Sequence, residues 1–134
     1  FGSEGNSLLP AELAANIRGN AWDERGLQDV VEHVLDVGPW SCLRESPLGP
    51  RDRPDFLIGQ QQHSGSGDAL AMLWLAVECK VGGSITQLTR QIDRYLAHEI
   101  VVGVLVVTTR MALIRLPTEL RGKPIRGCLI NGFA

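Results

Sequence analysis

The chain has 134 residues, a formal net charge of −2 and a hydrophobic content of 44%, which fits a single globular domain with one substantial core. The near-neutral charge counts against a protein that coats nucleic acid tightly by general electrostatic attraction. A local group of Arg and Lys beside a bound metal could still attract a phosphate. The longest apolar runs, at 69–77 and 100–107, are too short to cross a bilayer and predict buried strands.

Residues 1–19 are predicted to form an N-terminal arm, and residues 20–134 a single domain. The start of the sequence has neither the basic residues nor the apolar segment of a signal peptide, so we expect a cytoplasmic protein. The three cysteines, Cys42, Cys79 and Cys128, form no C-x-x-C pair. This predicts reduced thiols rather than disulfides or a cysteine zinc site.

The first helix is predicted from residue 20 to Gly38-Pro39, where a glycine and a proline end the pattern. Asn20 and Asp23 are both candidates for its N-cap. Its apolar face consists of five residues at helical spacing: Leu27, Val30, Val31, Val34 and Leu35.

Two acids of this helix differ in their predicted direction. At about 100° per residue, Glu24 lies roughly 50° from the centre of the apolar face and Glu32 roughly 130° from it. Glu24 therefore borders the buried side, where it could reach an active site, and Glu32 points to solvent. The alternative is that Glu24 only stabilises the helix N-terminus through its charge.

Three strands are predicted next, at 40–46, 55–58 and 69–80. A polar turn at 60–68 joins the second and third as an antiparallel pair. The third strand is apolar on both faces, which indicates helices on both sides of the sheet.

The second helix is predicted at 84–98, because Ser84 and Gln87 have the spacing of a capping box. A fourth strand is predicted at 101–108. Since a helix connects it to the third strand, we expect the two to pair in parallel. Residues 124–130 predict a short last strand, and the segment before them is ambiguous.

Acidic and basic side chains gather where the most apolar strand ends. Glu78 and Lys80 share one face of this strand, whereas Cys79 faces the other side. Asp55, at the start of the neighbouring strand, would bring a second carboxylate to the same place. Two buried carboxylates repel each other unless a cation or a shared proton compensates them, and Mg²⁺ prefers such oxygen ligands. The pattern therefore predicts a metal-dependent phosphodiesterase site.

This arrangement resembles the PD-(D/E)XK nuclease superfamily, including the Gln-x-x-x-Tyr element of its RecB-like members. The matching residues are, in chain order, Pro54-Asp55, Glu78-Cys79-Lys80, Gln91 and Tyr95. They occur in an αβββαβ order of elements between residues 20 and 108. The resemblance implies an α/β fold with a restriction-endonuclease-like core, in which helices flank a mixed sheet of four to five strands.

The resemblance also implies catalytic roles. Asp55 and Glu78 would bind Mg²⁺ or Mn²⁺ together with the backbone carbonyl of Cys79. Lys80 would orient the attacking water and help to stabilise its deprotonated form. Glu24 would hold a metal-bound water or help to bind a second ion.

Two residues of the second helix complete the implied catalytic group. Gln91 and Tyr95 are one helical turn apart, and they would face the same site and steady Lys80 or a substrate phosphate. The alternative is that both lie on an ordinary helix surface. In the same way, Glu78 and Lys80 could form an exposed ion pair, with Asp55 an unrelated turn residue.

Four residues are candidates for contacts with nucleic acid: Arg53, Gln87, Arg90 and Arg94. Arg90 and Arg94 are one helical turn apart and, with Gln87, could form a strip that contacts phosphates. Solvated helix charges would explain them equally well. The histidines show no ligand spacing and are predicted to lie in loops or in solvent: His33, His63 and His98.

We therefore expect a Mg²⁺- or Mn²⁺-dependent nuclease that hydrolyses phosphodiester bonds of DNA and has no membrane partner. The alternative is a catalytically silent or partner-dependent subunit with the same fold that binds nucleic acid or assists an assembly. Because the chain is short and lacks a recognisable DNA-recognition module, sequence specificity would come from a homodimer or from a partner protein, or would be absent. The sequence leaves open endonuclease or exonuclease action, DNA or RNA, and the biological pathway.

Overall fold

The structure is a computed structural model. The residues that it describes are 23–36, 38, 40–62 and 71–130. The predicted N-terminal arm, the Asn20 cap and His63 with the rest of the turn at 63–70 lie outside them. Within the described residues the chain forms two α-helices, six strands and a short 3₁₀ helix.

Helix α1 spans Glu24–Asp36. Asp23 caps its start, because its carboxylate accepts a hydrogen bond from the Gly26 N–H at 2.7 Å. The predicted end is confirmed, since the Gly38 N–H donates to the carbonyl of Leu35 at 3.1 Å after the last turn. The buried residues of α1 are four of the five predicted ones: Leu27, Val31, Val34 and Leu35.

Helix α2 spans Ile85–Leu96. Its predicted N-cap is confirmed, because the Ser84 hydroxyl accepts a hydrogen bond from the Gln87 N–H at 3.1 Å. Gly83, just before the cap, has a φ of 89°, a conformation that side chains other than glycine rarely adopt. This turn joins the end of a central strand directly to the start of α2.

The strands are β1 (Ser41–Arg44), β2 (Phe56–Gln62), β3 (Ala71–Lys80), β4 (Val101–Thr108), β5 (Glu119–Leu120) and β6 (Lys123–Leu129). They form one sheet in the order β1-β2-β3-β4-β6-β5. As predicted, β2 and β3 pair antiparallel, and β3 and β4 pair in parallel through α2. β6 pairs in parallel with β4, so three carboxyl ends meet at one edge of the sheet.

The predicted count of four to five strands is wrong, because the sheet has six. The additional strand is β5, which pairs antiparallel with β6 across a two-residue turn. The turn residues Arg121 and Gly122 both have positive φ, at 54° and 72°, as in the tight turns that match strand twist. Arginine at the first turn position is not one of the residues by which such hairpins are recognised, so the sequence did not predict this one.

Two apolar layers cover the two faces of the sheet. On one side α1 packs through Leu27 and Val31 against Val77 and Cys79 of β3. On the other side α2 packs through Leu88 and Ile92 against alternate residues of the same strands. The mixed α/β sheet with a helix on each face is therefore confirmed, whereas the restriction-endonuclease-like core stays a prediction.

The cysteines are free thiols, as predicted, with Cys79 and Cys128 buried and Cys42 half-buried. Among the described residues, no helix is long and apolar enough to cross a membrane.

Candidate active site

Asp55 and Glu78 meet where β2 begins and β3 approaches its end. Asp55 immediately precedes β2, and the register pairs Phe56 with Val77, which brings Asp55 beside Glu78. The two carboxylates, called the acidic pair below, come from strands that are neighbours in the sheet. The site therefore lies at the carboxyl edge of β3, the edge at which open α/β sheets place their ligands.

Glu78 is buried, with 2% of its surface exposed. Its Oε1 accepts hydrogen bonds from the Tyr95 hydroxyl at 2.7 Å and from the Asp55 N–H at 3.1 Å. The predicted alternative of an exposed ion pair at a strand end is therefore wrong for Glu78. A carboxylate is seldom buried so completely unless partners stabilise it.

Asp55 is held through both of its carboxylate oxygens. Oδ2 accepts a hydrogen bond from the Cys79 N–H at 2.7 Å, and Oδ1 accepts one from Gln28 Nε2 at 3.0 Å. The backbone of each strand end thus donates to the acid of the other, since the Asp55 N–H donates to Glu78. These reciprocal bonds fix the acidic pair in position and rule out Asp55 as an unrelated turn residue.

Lys80 and Glu24 lie at the open side of the acidic pair. Lys80 Nζ is 3.7 Å from Glu78 Oε2 and 3.8 Å from Glu24 Oε1. Both distances exceed a hydrogen bond, so the ammonium is attracted by two carboxylates and can still donate to a third group. The Glu24 side chain is 42% exposed, which agrees with its predicted place at the border of the buried face.

Burial raises the pKa of both carboxyl groups of the acidic pair. It raises the pKa of the Asp55 carboxyl to about 6, against the opposing effects of the Cys79 N–H and the Lys80 charge. Burial, followed by repulsion from Asp55, raises the pKa of the Glu78 carboxyl to about 7. Burial and the nearby acids also raise the pKa of the Cys79 thiol, so that this sulfur stays protonated.

The residues Gln91 and Tyr95 of α2 form a chain that ends on Glu78. Gln91 Nε2 donates to the Tyr95 hydroxyl at 2.8 Å, which in turn donates to Glu78 Oε1. Burial raises the pKa of the Tyr95 phenol, which keeps this hydroxyl a donor. Both residues face the site as predicted, and the contact that they make is with the acid rather than with Lys80.

Sequence reasoning missed two residues of the site, Gln28 and Arg44. Gln28 donates to Asp55 and accepts a hydrogen bond from Arg44 Nη2 at 3.3 Å. Gln28 stands four residues after Glu24, so its direction could have been found from helical spacing. Arg44 also binds Glu32 at 3.1 Å, and for this reason Glu32 does not point freely into solvent as predicted.

A cleft of about 390 Å³ adjoins Lys80 and runs along α2. Its lining residues are Lys80, Gly82, Gly83, Ser84, Gln87, Leu88, Arg90, Gln91 and Arg94. All charged side chains in this lining are cations, although the whole chain is slightly acidic. We call it the cationic cleft. It includes three of the four predicted nucleic-acid contacts, and Arg53 is exposed outside this lining.

The oxygen atoms of the site fit a hard divalent cation. In the part of the chain that the structure describes, no three His, Cys, Asp or Glu side chains form a metal-binding group. Mg²⁺ commonly uses one or two carboxylates with waters and substrate oxygens, so two acids suffice. Glu78 Oε2 is buried and has only Lys80 at 3.7 Å among described partners, which leaves a carboxylate oxygen for a cation.

The backbone supplies a further oxygen. The Cys79 N–H bonds to Asp55, so the carbonyl of the same residue also faces β2, because both groups of a strand residue point to one side. Continued beyond Phe56 and Val77, the register of β2 and β3 brings Pro54 opposite Cys79. Proline has no N–H to offer this carbonyl. The carbonyl of the predicted third ligand therefore faces β2 at a position where Pro54 offers it no hydrogen bond.

No family model matches the chain, and searches of curated proteins and of solved structures returned no match. The likeness to PD-(D/E)XK nucleases thus stays a prediction from the residue pattern.

Proposed function

We propose that this chain is a metal-dependent nuclease that hydrolyses phosphodiester bonds of DNA with Mg²⁺ or Mn²⁺. The main support is the juxtaposition of a buried, interlocked acidic pair with a cleft whose charged lining is wholly cationic. A phosphodiester carries negative charge, so it favours the cleft, whereas a divalent cation favours the acids. The bound cation and the phosphodiester would therefore lie on either side of Lys80, which borders both the acidic pair and the cationic cleft.

Asp55, Glu78 and the Cys79 carbonyl would hold the cation. When bound, the cation would supply Lewis acidity and lower the pKa of a water. The hydrogen bonds from Gln28 and Tyr95 orient the two carboxylates, and this preorganisation avoids the cost of fixing them during the reaction.

Lys80 is proposed to donate a hydrogen bond to the attacking water and to offset charge on the phosphoryl oxygens. Its ammonium is not consumed by either neighbouring carboxylate, since both lie beyond hydrogen-bond distance. Glu24, at 3.8 Å from Lys80 Nζ, attracts the ammonium and could accept a hydrogen bond from a water beside it. Arg90, Arg94 and Gln87 are proposed to contact phosphates along the cleft.

A second candidate is a nucleic-acid-binding or assembly subunit that has lost turnover or needs a partner protein. The observation that favours it is that three oxygens of the acidic pair already accept hydrogen bonds from the protein, namely both of Asp55 and Oε1 of Glu78. A closed network of this kind also stabilises a polar core without any cation. Such a subunit would bind DNA without cutting it.

Cleavage of DNA distinguishes the two candidates. We expect the protein to nick or degrade plasmid or single-stranded DNA with Mg²⁺ or Mn²⁺ and to do neither in EDTA. Asp55→Asn keeps the shape of the side chain but removes its charge, so we expect the rate to fall by about 10³-fold or more.

The matched control is Asp93→Asn. Asp93 is an exposed acid of α2 that pairs with Arg121 at 2.9 Å, and surface pairs of this kind contribute little. We expect this variant to cleave as the wild type does. Wild-type protein that never cleaves, or Asp55→Asn protein that cleaves normally, would contradict the nuclease proposal.

A further inference from the structure

Among the described residues, Arg94 is the one cation of the cleft lining that donates a hydrogen bond to an acid. Its Nε donates to Asp52 Oδ1 at 3.1 Å. Lys80 has only loose contacts with acids, and Arg90 has no acidic partner in the described part of the chain. A guanidinium has five N–H donors, so four donors of Arg94 remain for another ligand.

Asp52 is itself held firmly. Its carboxylate is 14% exposed, and Oδ2 lies 2.8 Å from His98 Nε2. Its backbone belongs to a tight turn, because the Leu48 N–H donates to the Asp52 carbonyl at 2.7 Å and the Asp52 N–H donates to Gly49. The carboxylate therefore has little freedom to follow Arg94, and Arg94 must adopt the orientation that Asp52 imposes.

His98, the second partner of Asp52, is also held in place by contacts with the protein. It lies just after Ala97, the C-cap of α2, and its carbonyl accepts a hydrogen bond from Lys123 Nζ at 3.0 Å. The interactions with His98 and Arg94 lower the pKa of the Asp52 carboxyl, so this acid is ionised near neutral pH. His98 lies in the loop between α2 and β4, as predicted. Its contact with Asp52, which was not predicted, makes it part of a fixed cluster.

We propose that Asp52, held by His98, is a positioning residue that directs the Arg94 guanidinium into the cationic cleft to bind a phosphate of a single DNA strand, apart from the scissile one. This inference rests on the proposed function and specifies how its substrate binds. From Gln87 to Arg94 the helix rises by about 10 Å, so the side chains along it can reach more than one phosphate of a strand. Arg90 and Arg94 lie about one turn apart on α2 and Lys80 lies at the end of β3, so the cations of the cleft follow a single line, which suits one strand.

Electrostatics alone predicts the opposite effect for a change at Asp52. Removing an acid that lies near a cationic cleft should strengthen the binding of a polyanion. If Asp52 acts through the orientation of Arg94, its removal should weaken binding instead, because the released guanidinium must be ordered again when the strand binds. The direction of the change therefore separates positioning from simple charge.

The test uses a labelled, short single-stranded DNA in EDTA, so that cleavage does not interfere, and follows fluorescence anisotropy at several salt concentrations. We expect Arg94→Ala to weaken binding by about tenfold or more, and to reduce the salt dependence by about 0.7 of a counterion. Asp52→Asn should weaken binding by about three- to tenfold. Asp93→Asn, a control on the same helix outside the cleft, should bind as the wild type does.

A double variant keeps the test decisive if Asp52→Asn loosens the loop. Arg94→Lys retains the charge but lacks the planar fork that Asp52 holds. In the Arg94→Lys background, Asp52→Asn should cause no further loss of affinity, since the two residues act as one unit. Thermal unfolding of each variant identifies any general loss of structure.

Binding by Asp52→Asn that equals or exceeds wild-type binding would overturn the inference, as would a full additional loss in the Arg94→Lys background. Absence of any wild-type binding at low salt would overturn it as well. Binding that follows the expected pattern, in a protein that cleaves nothing with any metal, would instead support the inference and contradict nuclease activity.

Discussion

Replacing Glu78 with glutamine is expected to make the metal-free protein more stable at pH 8 and to abolish cleavage. Burial and Asp55 raise the pKa of the Glu78 carboxyl from 4.5 to about 7. At pH 8 the folded protein must therefore hold a charge that it disfavours by about 3 kcal/mol. Glutamine still accepts the hydrogen bonds from Tyr95 and Asp55 but loses attraction to Lys80, so we expect a net gain of about 1–2 kcal/mol.

The pH dependence gives the sign of this effect. Because the folded-state pKa of Glu78 is raised, its contribution to stability is fully present below about pH 4.5. It is lost as the pH rises through about 7. The free energies of unfolding of wild type and Glu78→Gln should therefore be close at pH 4 and diverge above it. Urea unfolding in EDTA measures both, with the exposed Glu119→Gln as a control.

A Glu78→Gln variant that is less stable than the wild type at pH 8 would contradict the account. It would mean that the ionised carboxylate is a net stabilising partner in the core, as in a purely structural network. The same protein assayed for DNA cleavage links the two properties, since active-site acids commonly reduce stability in exchange for function.

Replacing Lys80 with methionine is expected to lower the cleavage rate by about 10²- to 10⁴-fold, because the donor that faces water and the phosphoryl oxygens is lost. The affinity for Mn²⁺ should rise rather than fall, since a cation 3.7 Å from Glu78 Oε2 is removed. Single-turnover cleavage and Mn²⁺ titration measure the two effects separately. Arg126→Met, which removes an exposed cation of β6, should change neither.

Loss of Mn²⁺ binding together with cleavage in Lys80→Met would indicate that Lys80 organises the acidic pair instead of acting on the substrate. A normal cleavage rate would exclude Lys80 from the reaction altogether. Either result would contradict the proposed role of Lys80 in acting on the water and the phosphate.

Local patterns were sufficient to predict most elements of the fold. The period of Leu27, Val31 and Val34 identified α1, and the Ser84 cap identified the start of α2. The apolar character of β3 and β4, joined by a helix, predicted their parallel pairing. These features depend on residues that are close in sequence, so local sequence patterns are sufficient to predict them.

The features that were missed depend on residues that are distant in sequence or on unusual backbone. Arg121 adopts positive φ, which few patterns predict for an arginine, and β5 was therefore overlooked. Gln28 reaches Asp55 across 27 positions, and Asp52 reaches His98 across 46. Such pairs form only when the sheet brings separate segments together, so side-chain periodicity cannot identify them.

The site was predicted in part for the same reason. Asp55, Glu78 and Lys80 were placed together because alternation on β3 and pairing with β2 follow from strand geometry. Tyr95 was predicted to face the site, but its hydrogen bond to Glu78 was not predicted, because it depends on how α2 packs across the sheet. The site residues that were predicted correctly are therefore those whose side-chain direction follows from the geometry of a single strand or helix.

The most direct test of the account is a titration of the metal-free protein with Mn²⁺. Calorimetry measures the heat of binding, and electron paramagnetic resonance measures the concentration of the free ion. We expect the wild type to bind Mn²⁺ through the acidic pair, and Asp55→Asn and Glu78→Gln each to weaken binding by about tenfold or more. Asp93→Asn should bind as the wild type does. Wild-type protein that binds no Mn²⁺, or binding that persists unchanged in both variants, would contradict the proposal that Asp55 and Glu78 hold a divalent cation.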